Sequence, residues 1–455
     1  MIDILSQIIE TKEKEVAKLY KEESDLIESC MTKSALSFYD SIQNICDQKQ
    51  KFFITEFKRK SPSAGIIENN IDPCSQAQRY ASIGAHAISV LTDQTYFGGS
   101  YKDLKEISSY IVNNGKNVLV LQKDFIIDEI QIFKARACGA NMILLIARIL
   151  SAEKLKRLKA IAEGLNMGVL VEIHDKAEYE KIKHLKIEVL GINNRNLKTF
   201  KTRLNHFYKT LNEIDFSGHI IAESGVHNAI DIKMLGHKAS GFLIGQSLME
   251  SKPNKALNDF FQTQNAHIFK ACGLRTIKQI EACKSDLIGI NFSPISKRRI
   301  NKTIEFIAPP NAVAVFKNNT EEEIIHTIKK HNFKYVQLYE DDINPNLIAN
   351  ISCKIILAVS MDVPNALDRL IKYAADCDLF LIDAASPGSG KPVEYSIPQN
   401  FTFPFILAGG INISNLEKIK SHSYCIGLDM ASGIEVNQEP SLQLIHQIKT
   451  KINAL

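Results

Sequence analysis

Glu56 and Lys58 stand two residues apart in Thr55-Glu56-Phe57-Lys58-Arg59-Lys60-Ser61-Pro62, a spacing that turns both side chains to one face of an extended strand. Alone, such a pair is ordinarily an exposed ion pair worth little. Here it has company: Lys123 follows the apolar run 118–122, Glu172 ends the run 168–172, and Asn193 ends the run 189–193 with Arg195 just beyond it. A carboxylate to take a proton, an ammonium to give one and further cations to hold an anion are the parts of proton-transfer chemistry on an anionic metabolite. Farther on, Lys270-Ala271-Cys272-Gly273-Leu274-Arg275 places a thiol at the end of another apolar run, and Asp383 ends the run 379–383. A thiol and a carboxyl facing each other can serve as base and acid. Single cysteines are ordinarily core residues, which is the reading for Cys283, Cys353, Cys377 and Cys425.

The elements that must position these residues follow a βα rhythm. Short β-rich runs lie at 52–56, 87–91, 118–122, 142–146, 168–172, 189–193, 219–223 and 241–245, separated by segments with helical spacing. Continuous apolar strands alternating with helices belong to a parallel sheet covered on both faces, and eight of them imply a (β/α)8 TIM barrel. A doubly wound open sheet is the competing fold. No G-x-G-x-x-G follows the first strand, and the polar residues end many different strands, so the barrel is preferred. After SKPNKALNDFFQTQ (251–264), read as a connecting helix or linker, eight more runs follow: 267–272, 287–291, 312–316, 335–338, 354–358, 379–383, 404–408 and 424–429. Two consecutive α/β barrels are expected, over residues 1–255 and 256–455. Small residues follow the seventh and eighth strand of each set: Ser224-Gly225 and Gly245, then Gly409-Gly410 and Ser432-Gly433. These are the usual phosphate positions of the architecture. The segment before Phe52 is an amphipathic helical extension carrying Ile4, Leu5, Ile8, Ile9, Val16 and Leu19. Packing against the barrel is its plain role, and covering the mouth its sharper one.

A chain of 455 residues is too long for one core and suits two domains. With 45% apolar and 23% charged residues it should fold throughout. A net charge of +4, spread along the chain, gives no support to nucleic-acid binding. Nine cysteines without a C-x-x-C pair suit reduced thiols, not a disulfide framework or zinc site. The N-terminal stretch is interrupted by charges and reads as neither signal peptide nor membrane span. A cytoplasmic monomer is expected, with no membrane partner.

Over about residues 3 to 250 the sequence resembles indole-3-glycerol-phosphate synthase, on the motifs TEFKRKSPSAG (55–65), GAHAISVLTDQTYFGGS (84–100), VLQKDF (120–125), LVEIHD (170–175), GINNRNL (191–197), AESGV (222–226) and GFLIGQSLM (241–249). The resemblance implies closure of 1-(2-carboxyphenylamino)-1-deoxyribulose 5-phosphate to the indole ring with loss of CO2 and water. It makes Lys123 the general acid and Glu172 the general base. Glu56 and Asn193 assist proton transfer, and Lys58 serves the anionic substrate or donates the proton. Ser61, Arg195, Ser224, Gly225 and Gly245 bind substrate. Gln246 departs from the small hydroxyl residue frequent in the family. Two lysines in one mouth should depress each other's pKa.

From about residue 267 onward the sequence resembles phosphoribosylanthranilate isomerase, on KACGLR (270–275), SKRRI (296–300), VAVF (313–316), VQL (336–338), LIDAASPGSGK (381–391), LAGGI (407–411) and GLDMASGIE (427–435). An Amadori rearrangement is implied, with Asp383 as acid and Cys272 as base. Arg275 or the bound substrate would favour the thiolate. Arg298 would fork onto the anthranilate carboxylate, and Gly409, Gly410, Ser432 and Gly433 would hold phosphate. The chain departs from the family in Gln337-Leu338-Tyr339-Glu340, where Q-L-H-G is usual, and at Glu394-Tyr395, where D-W is frequent; Glu340 is read as a solvated charge. Neither reaction calls for a metal or cofactor, so the expected ligands are phosphorylated small molecules. The rivals are another phosphosugar barrel, such as a histidine-pathway isomerase, whose acidic pair does not match Cys272 with Asp383, and a barrel that has lost catalysis and only binds.

Overall fold

The computed structural model describes residues 4–30, 36–62, 65–68, 70–196, 201–249, 267–301, 305–383 and 397–455. The chain divides into two compact units, Met1–Thr202 with Thr210–Gln264, and Arg203–Lys209 with Asn265–Leu455. The linker at 251–264 and the expected division at residue 255 lie outside the described residues.

The first unit holds a closed barrel of eight parallel strands, β1 Phe52–Phe57, β2 Ala87–Leu91, β3 Leu119–Lys123, β4 Met142–Ile146, β5 Gly168–Ile173, β6 Val189–Asn193, β7 His219–Glu223 and β8 Gly241–Ile244. Closure is made by β1, which pairs Phe52 with Gly241 on one side and Ile54 with Ala87 on the other. The strands are buried nearly end to end because helices cover the barrel outside while apolar side chains fill it inside.

Among the described residues, three α-helices precede β1: α1 Ile4–Leu19, α2 Glu23–Cys30 and α3 Phe38–Asp47. Ser37 caps α3 by accepting from Asp40 N, satisfying an end amide that has no partner within the helix. Phe38 and Ile42 of α3 join Phe52, Leu121, Leu144 and Leu170 in one core cluster. The Phe38 side chain lies where a Cβ on Gly168 would stand, 2.3 Å away. Gly168 begins β5, so α3 stoppers the N-terminal end of the barrel and leaves chemistry to the other end. α1 does both things considered for it: Ile8 and Val16 are buried, and Ile4, Leu5 and Ile8 line the cavity at the C-terminal mouth.

The second unit repeats the architecture with β9 Ile268–Cys272, β10 Leu287–Asn291, β11 Ala312–Val315, β12 Tyr335–Tyr339, β13 Lys354–Ser360, β14 Leu379–Asp383, β15 Phe405–Leu407 and β16 Cys425–Met430, again closed and parallel. All sixteen expected strands form, each within two residues of the run that announced it. No described helix is long and apolar enough to cross a membrane.

Candidate active sites

In the first barrel every expected reacting group reaches the same cavity. Glu56, Lys58, Ser61, Lys123, Glu172 and Asn193 line it, with Arg195, Ser224, Gly225 and Gly245. Lys58 donates a hydrogen bond to Glu56, as strand alternation requires. A Cβ on Gly245 would stand 2.5 Å from Glu56 Oε1, so a glycine here makes room for that pair. The Lys123 ammonium lies 3.6 Å from Glu172 and 3.5 Å from Glu223. Asn193 donates to Glu172 at 3.2 Å and accepts from Arg195 N at 3.0 Å.

Burial and charge set the protonation states. Burial would neutralise Lys123, yet Glu223, Glu172 and Glu56 outweigh it and raise its pKa. The expected mutual depression of Lys58 and Lys123 is therefore wrong for Lys123. The physical reason is Glu223, the last residue of the run 219–223, which the sequence reading does not single out and which ends β7 lining the cavity. Glu56 is held below its ordinary range by Lys58, Lys123 and Arg195 against the opposing effect of burial. Glu172 and Glu223 are driven apart, as two carboxyls in one dry site must be. Glu172 is lowered by Lys123 and His174 against burial, whereas Glu223 is raised well above the usual range by burial and the charge of Glu172. The mouth thus sets two carboxyls with opposite shifts side by side. Gly191 permits this: a Cβ there would lie 2.1 Å from Glu223 Oε1.

At the strand ends Ser224 and Gly225 both take left-handed backbone, φ +63° and +89°, a conformation that costs a serine energy. Ser247 donates to Val226 O at 3.3 Å and ties this turn to the one after β8.

The second mouth is sparser. Cys272 ends β9, 8% exposed, and Lys270 two residues earlier is fully buried with its ammonium 2.9 Å from Asp429 Oδ1. Burial pushes the Cys272 thiol up to about 11, with Asp429 adding to the rise and Lys270 and Arg298 opposing it. The cation beside the thiol is therefore Lys270. Arg275, expected in that role, is engaged by Glu439 at 2.7 Å, by Glu435 at 3.3 Å and by Gln438 O at 3.0 Å. Asp383 ends β14, paired in register with Ser360. The phenol of Tyr339 has its pKa raised by burial and then by the charges of Asp383, Cys272 and Asp429. Lys317 sits over the Tyr339 ring, 4.4 Å from its centre. Glu340 is not a solvated charge: it is 7% exposed and paired with Arg369 at 2.5 Å.

Arg298 stands over the chain just after Cys272, its Cδ 2.6 Å from where a Cβ on Gly273 would be. Its fork is occupied, Nε and Nη2 donating to the two oxygens of Glu435 at 2.7 and 2.8 Å. Gly409 and Gly410 are both left-handed, φ +91° and +63°. A Cβ on Gly433 would meet Ile411 O at 2.0 Å, so the turns after β15 and β16 touch. Residues 384–391 and Glu394-Tyr395 lie outside the described residues. Among the described residues no group of three or more His, Cys, Asp or Glu could hold a metal ion. All nine cysteines are free, and Cys283, Cys353, Cys377 and Cys425 are buried as core residues.

Fold and mouths define the class: a tandem TIM-barrel protein with ionisable clusters at the C-terminal ends of both barrels. A family model described as Indole-3-glycerol phosphate synthase matches residues 5–260, and one described as N-(5'phosphoribosyl)anthranilate (PRA) isomerase matches residues 269–450. The chain is 35% identical over 408 residues to the tryptophan biosynthesis protein TrpCF of Helicobacter pylori, covering 86% of this chain and 87% of that protein. It is 33% identical over 471 residues to TrpCF of Buchnera aphidicola subsp. Diuraphis noxia, covering 99% and 98%. Its first part is 42% identical over 265 residues to the indole-3-glycerol phosphate synthase of Exiguobacterium sibiricum, covering 58% of this chain and 97% of that one. The chain belongs to the family of bifunctional TrpCF enzymes of tryptophan biosynthesis, with a decarboxylating synthase in its first barrel and an isomerase in its second.

Proposed function

We propose that each barrel carries out its step with the side chains gathered at its own mouth, the synthase over residues 1–255 and the isomerase over 256–455. In the first, the observation that carries the reading is Lys123 set 3.6 Å from Glu172 and 3.5 Å from Glu223 in a buried cavity. Lys123 gives its proton to the ketone oxygen of the carboxyphenylamino-deoxyribulose phosphate as the ring carbon attacks. The ring carboxylate then leaves as CO2. Glu172, kept ionised, takes the proton the substrate loses as aromaticity is restored, and the hydroxyl leaves as water with a proton given by Lys58. Lys58 and Arg195 hold the substrate's anions, Glu56 and Asn193 orient the nitrogen, and Ser61 lines the cavity beside them. The turns at Ser224-Gly225 and Gly245 offer backbone N–H groups to phosphate, a contact that tolerates Gln246.

In the second barrel Asp383 protonates the ribose ring oxygen of phosphoribosylanthranilate, and the ring opens to a Schiff base. Cys272 removes the C2 proton, its thiolate favoured by Lys270. Arg298 accepts the anthranilate carboxylate in exchange for Glu435, and the turns at Gly409-Gly410 and Ser432-Gly433 hold phosphate. Nine free thiols support a reducing compartment such as the cytoplasm.

The test is turnover of phosphoribosylanthranilate by wild type, Cys272→Ala and Lys123→Ala, with intermediate and indole product quantified. Cys272→Ala should lose isomerisation about 10²–10⁴-fold while still closing supplied intermediate, and Lys123→Ala should let the intermediate accumulate. Retained isomerisation in Cys272→Ala, or retained ring closure in Lys123→Ala, would sink the assignment for that barrel.

A further inference from the structure

The steps above leave unused a buried cation beside the first mouth. Lys12 of α1 is 1% exposed, and its ammonium is ion-paired to Glu15 at 2.7 Å, Asp124 at 2.8 Å and Asp93 at 3.0 Å. The two aspartates come from the barrel: Asp93 lies just beyond β2, and Asp124 directly follows Lys123. Each also fixes its own loop. Asp93 accepts from Tyr96 N and Phe97 N at 2.7 and 3.1 Å, and Asp124 accepts from Phe125 N at 2.8 Å and from the Thr92 hydroxyl.

One ammonium therefore gathers α1 and two barrel loops. Leu5, Ile8, Phe97 and Phe125, from those three segments, form the apolar wall of the cavity, with the two phenylalanine rings 6.0 Å apart. An apolar residue at position 12 would hold a helix to a barrel at less cost, because taking an ammonium and two carboxylates out of water is expensive. What the ion cluster adds is direction: it fixes where the pieces meet more narrowly than apolar contact does.

We propose that Lys12 is a positioning residue for the synthase reaction, its buried ammonium fixing the apolar wall against which the substrate's aromatic ring packs. This rests on reading the first mouth as the synthase site. The test is steady-state kinetics with supplied carboxyphenylamino-deoxyribulose phosphate for wild type, Lys12→Met, Lys12→Arg, and Lys12→Met combined with Asp93→Asn and Asp124→Asn, which leaves no buried carboxylate unpaired. Isomerase turnover of the same preparations and their melting temperatures report folding. Lys12→Met should raise KM about tenfold or more with kcat within about threefold, the signature of lost binding without lost chemistry. Lys12→Arg should recover most of the affinity, and the combined variant should melt near wild type yet keep the raised KM. A wild-type KM in the combined variant, or a fall in kcat with KM unchanged, would overturn the proposal; should Lys12→Met not fold, the combined variant decides. Lys123→Ala in the same assay separates the two readings: if it still turns over, the site assignment fails, and if it is inactive while the Lys12 variants bind normally, only Lys12's role fails.

Discussion

The two mouths stand on the same scaffold and run opposite electrostatic strategies. The synthase mouth is crowded with charge, Glu56, Glu172 and Glu223 against Lys58, Lys123 and Arg195, and neighbouring charge overcomes burial at Glu56, Glu172 and Lys123 while burial and Glu172 together raise Glu223. The isomerase mouth sets one thiol in a dry strand end, where burial dominates and holds it neutral with a pKa of about 11. A site crowded with charge drives its carboxyls apart in pKa, while a sparse one leaves burial to keep its thiol protonated.

The largest effects are expected from one glycine in each barrel. Gly191→Ala would drive a Cβ into Glu223 Oε1, and Gly289→Ala would place one 2.6 Å from Cys272 Sγ. Each should cost its own barrel about 10²-fold or more in turnover, since small misplacements of reacting groups are that costly, and leave the other barrel's rate unchanged. Equal losses in both activities from either change would mean that the glycines serve folding alone.

A weaker but more diagnostic effect is thiol reactivity. With its pKa near 11, Cys272 should be alkylated by iodoacetamide about tenfold faster for each pH unit between 7 and 10, because only the thiolate attacks. Lys270→Met should slow it further by removing the cation that favours the thiolate. A rate already level above pH 8 would show a low-pKa thiol and erase the contrast between the barrels.

The smallest effect concerns stability. The folded-state pKa of Glu223 lies above its unfolded value, so its contribution is fully present below the unfolded pKa, about 4.3 for a glutamate, and is lost as pH rises toward the folded one. Glu223→Gln removes that loss, and its melting temperature relative to wild type should climb as pH is raised from 5 to 8. Glu56 has the opposite sign, because its folded pKa is depressed; its contribution is present above the unfolded pKa and lost in acid. Glu56→Gln should therefore melt below wild type at neutral pH, with the difference closing as pH falls below about 4. A pH-independent difference in either variant would contradict these protonation states.

Much of this was legible in the chain because barrel strands announce themselves locally. Runs such as 142–146 and 379–383 need only their own composition, and a polar residue at the end of such a run lands on the reactive rim by topology alone. Lys123, Glu172, Cys272 and Asp383 were found that way. What escaped was pairwise: Glu223 ends the run 219–223, and nothing local says that it meets Lys123, 100 residues earlier. Lys270 with Asp429 and Lys12 with Asp93 and Asp124 are likewise partners made by barrel closure or by packing of α1. Glu340 failed differently, since its burial depends on Arg369 from another segment.

The clasp between Arg298 and Glu435 has a thermodynamic corollary. Because the guanidinium is already satisfied before a ligand arrives, a carboxylate that binds there trades places with one of the protein's own. Such an exchange leaves the number of charge-assisted hydrogen bonds on Arg298 unchanged, so its net gain is small compared with filling an empty fork. A ligand without a carboxylate must either leave the clasp shut or leave a half-buried cation without its partner. The arginine would then act less as a source of affinity than as a filter, and Glu435 would set how strictly the filter discriminates.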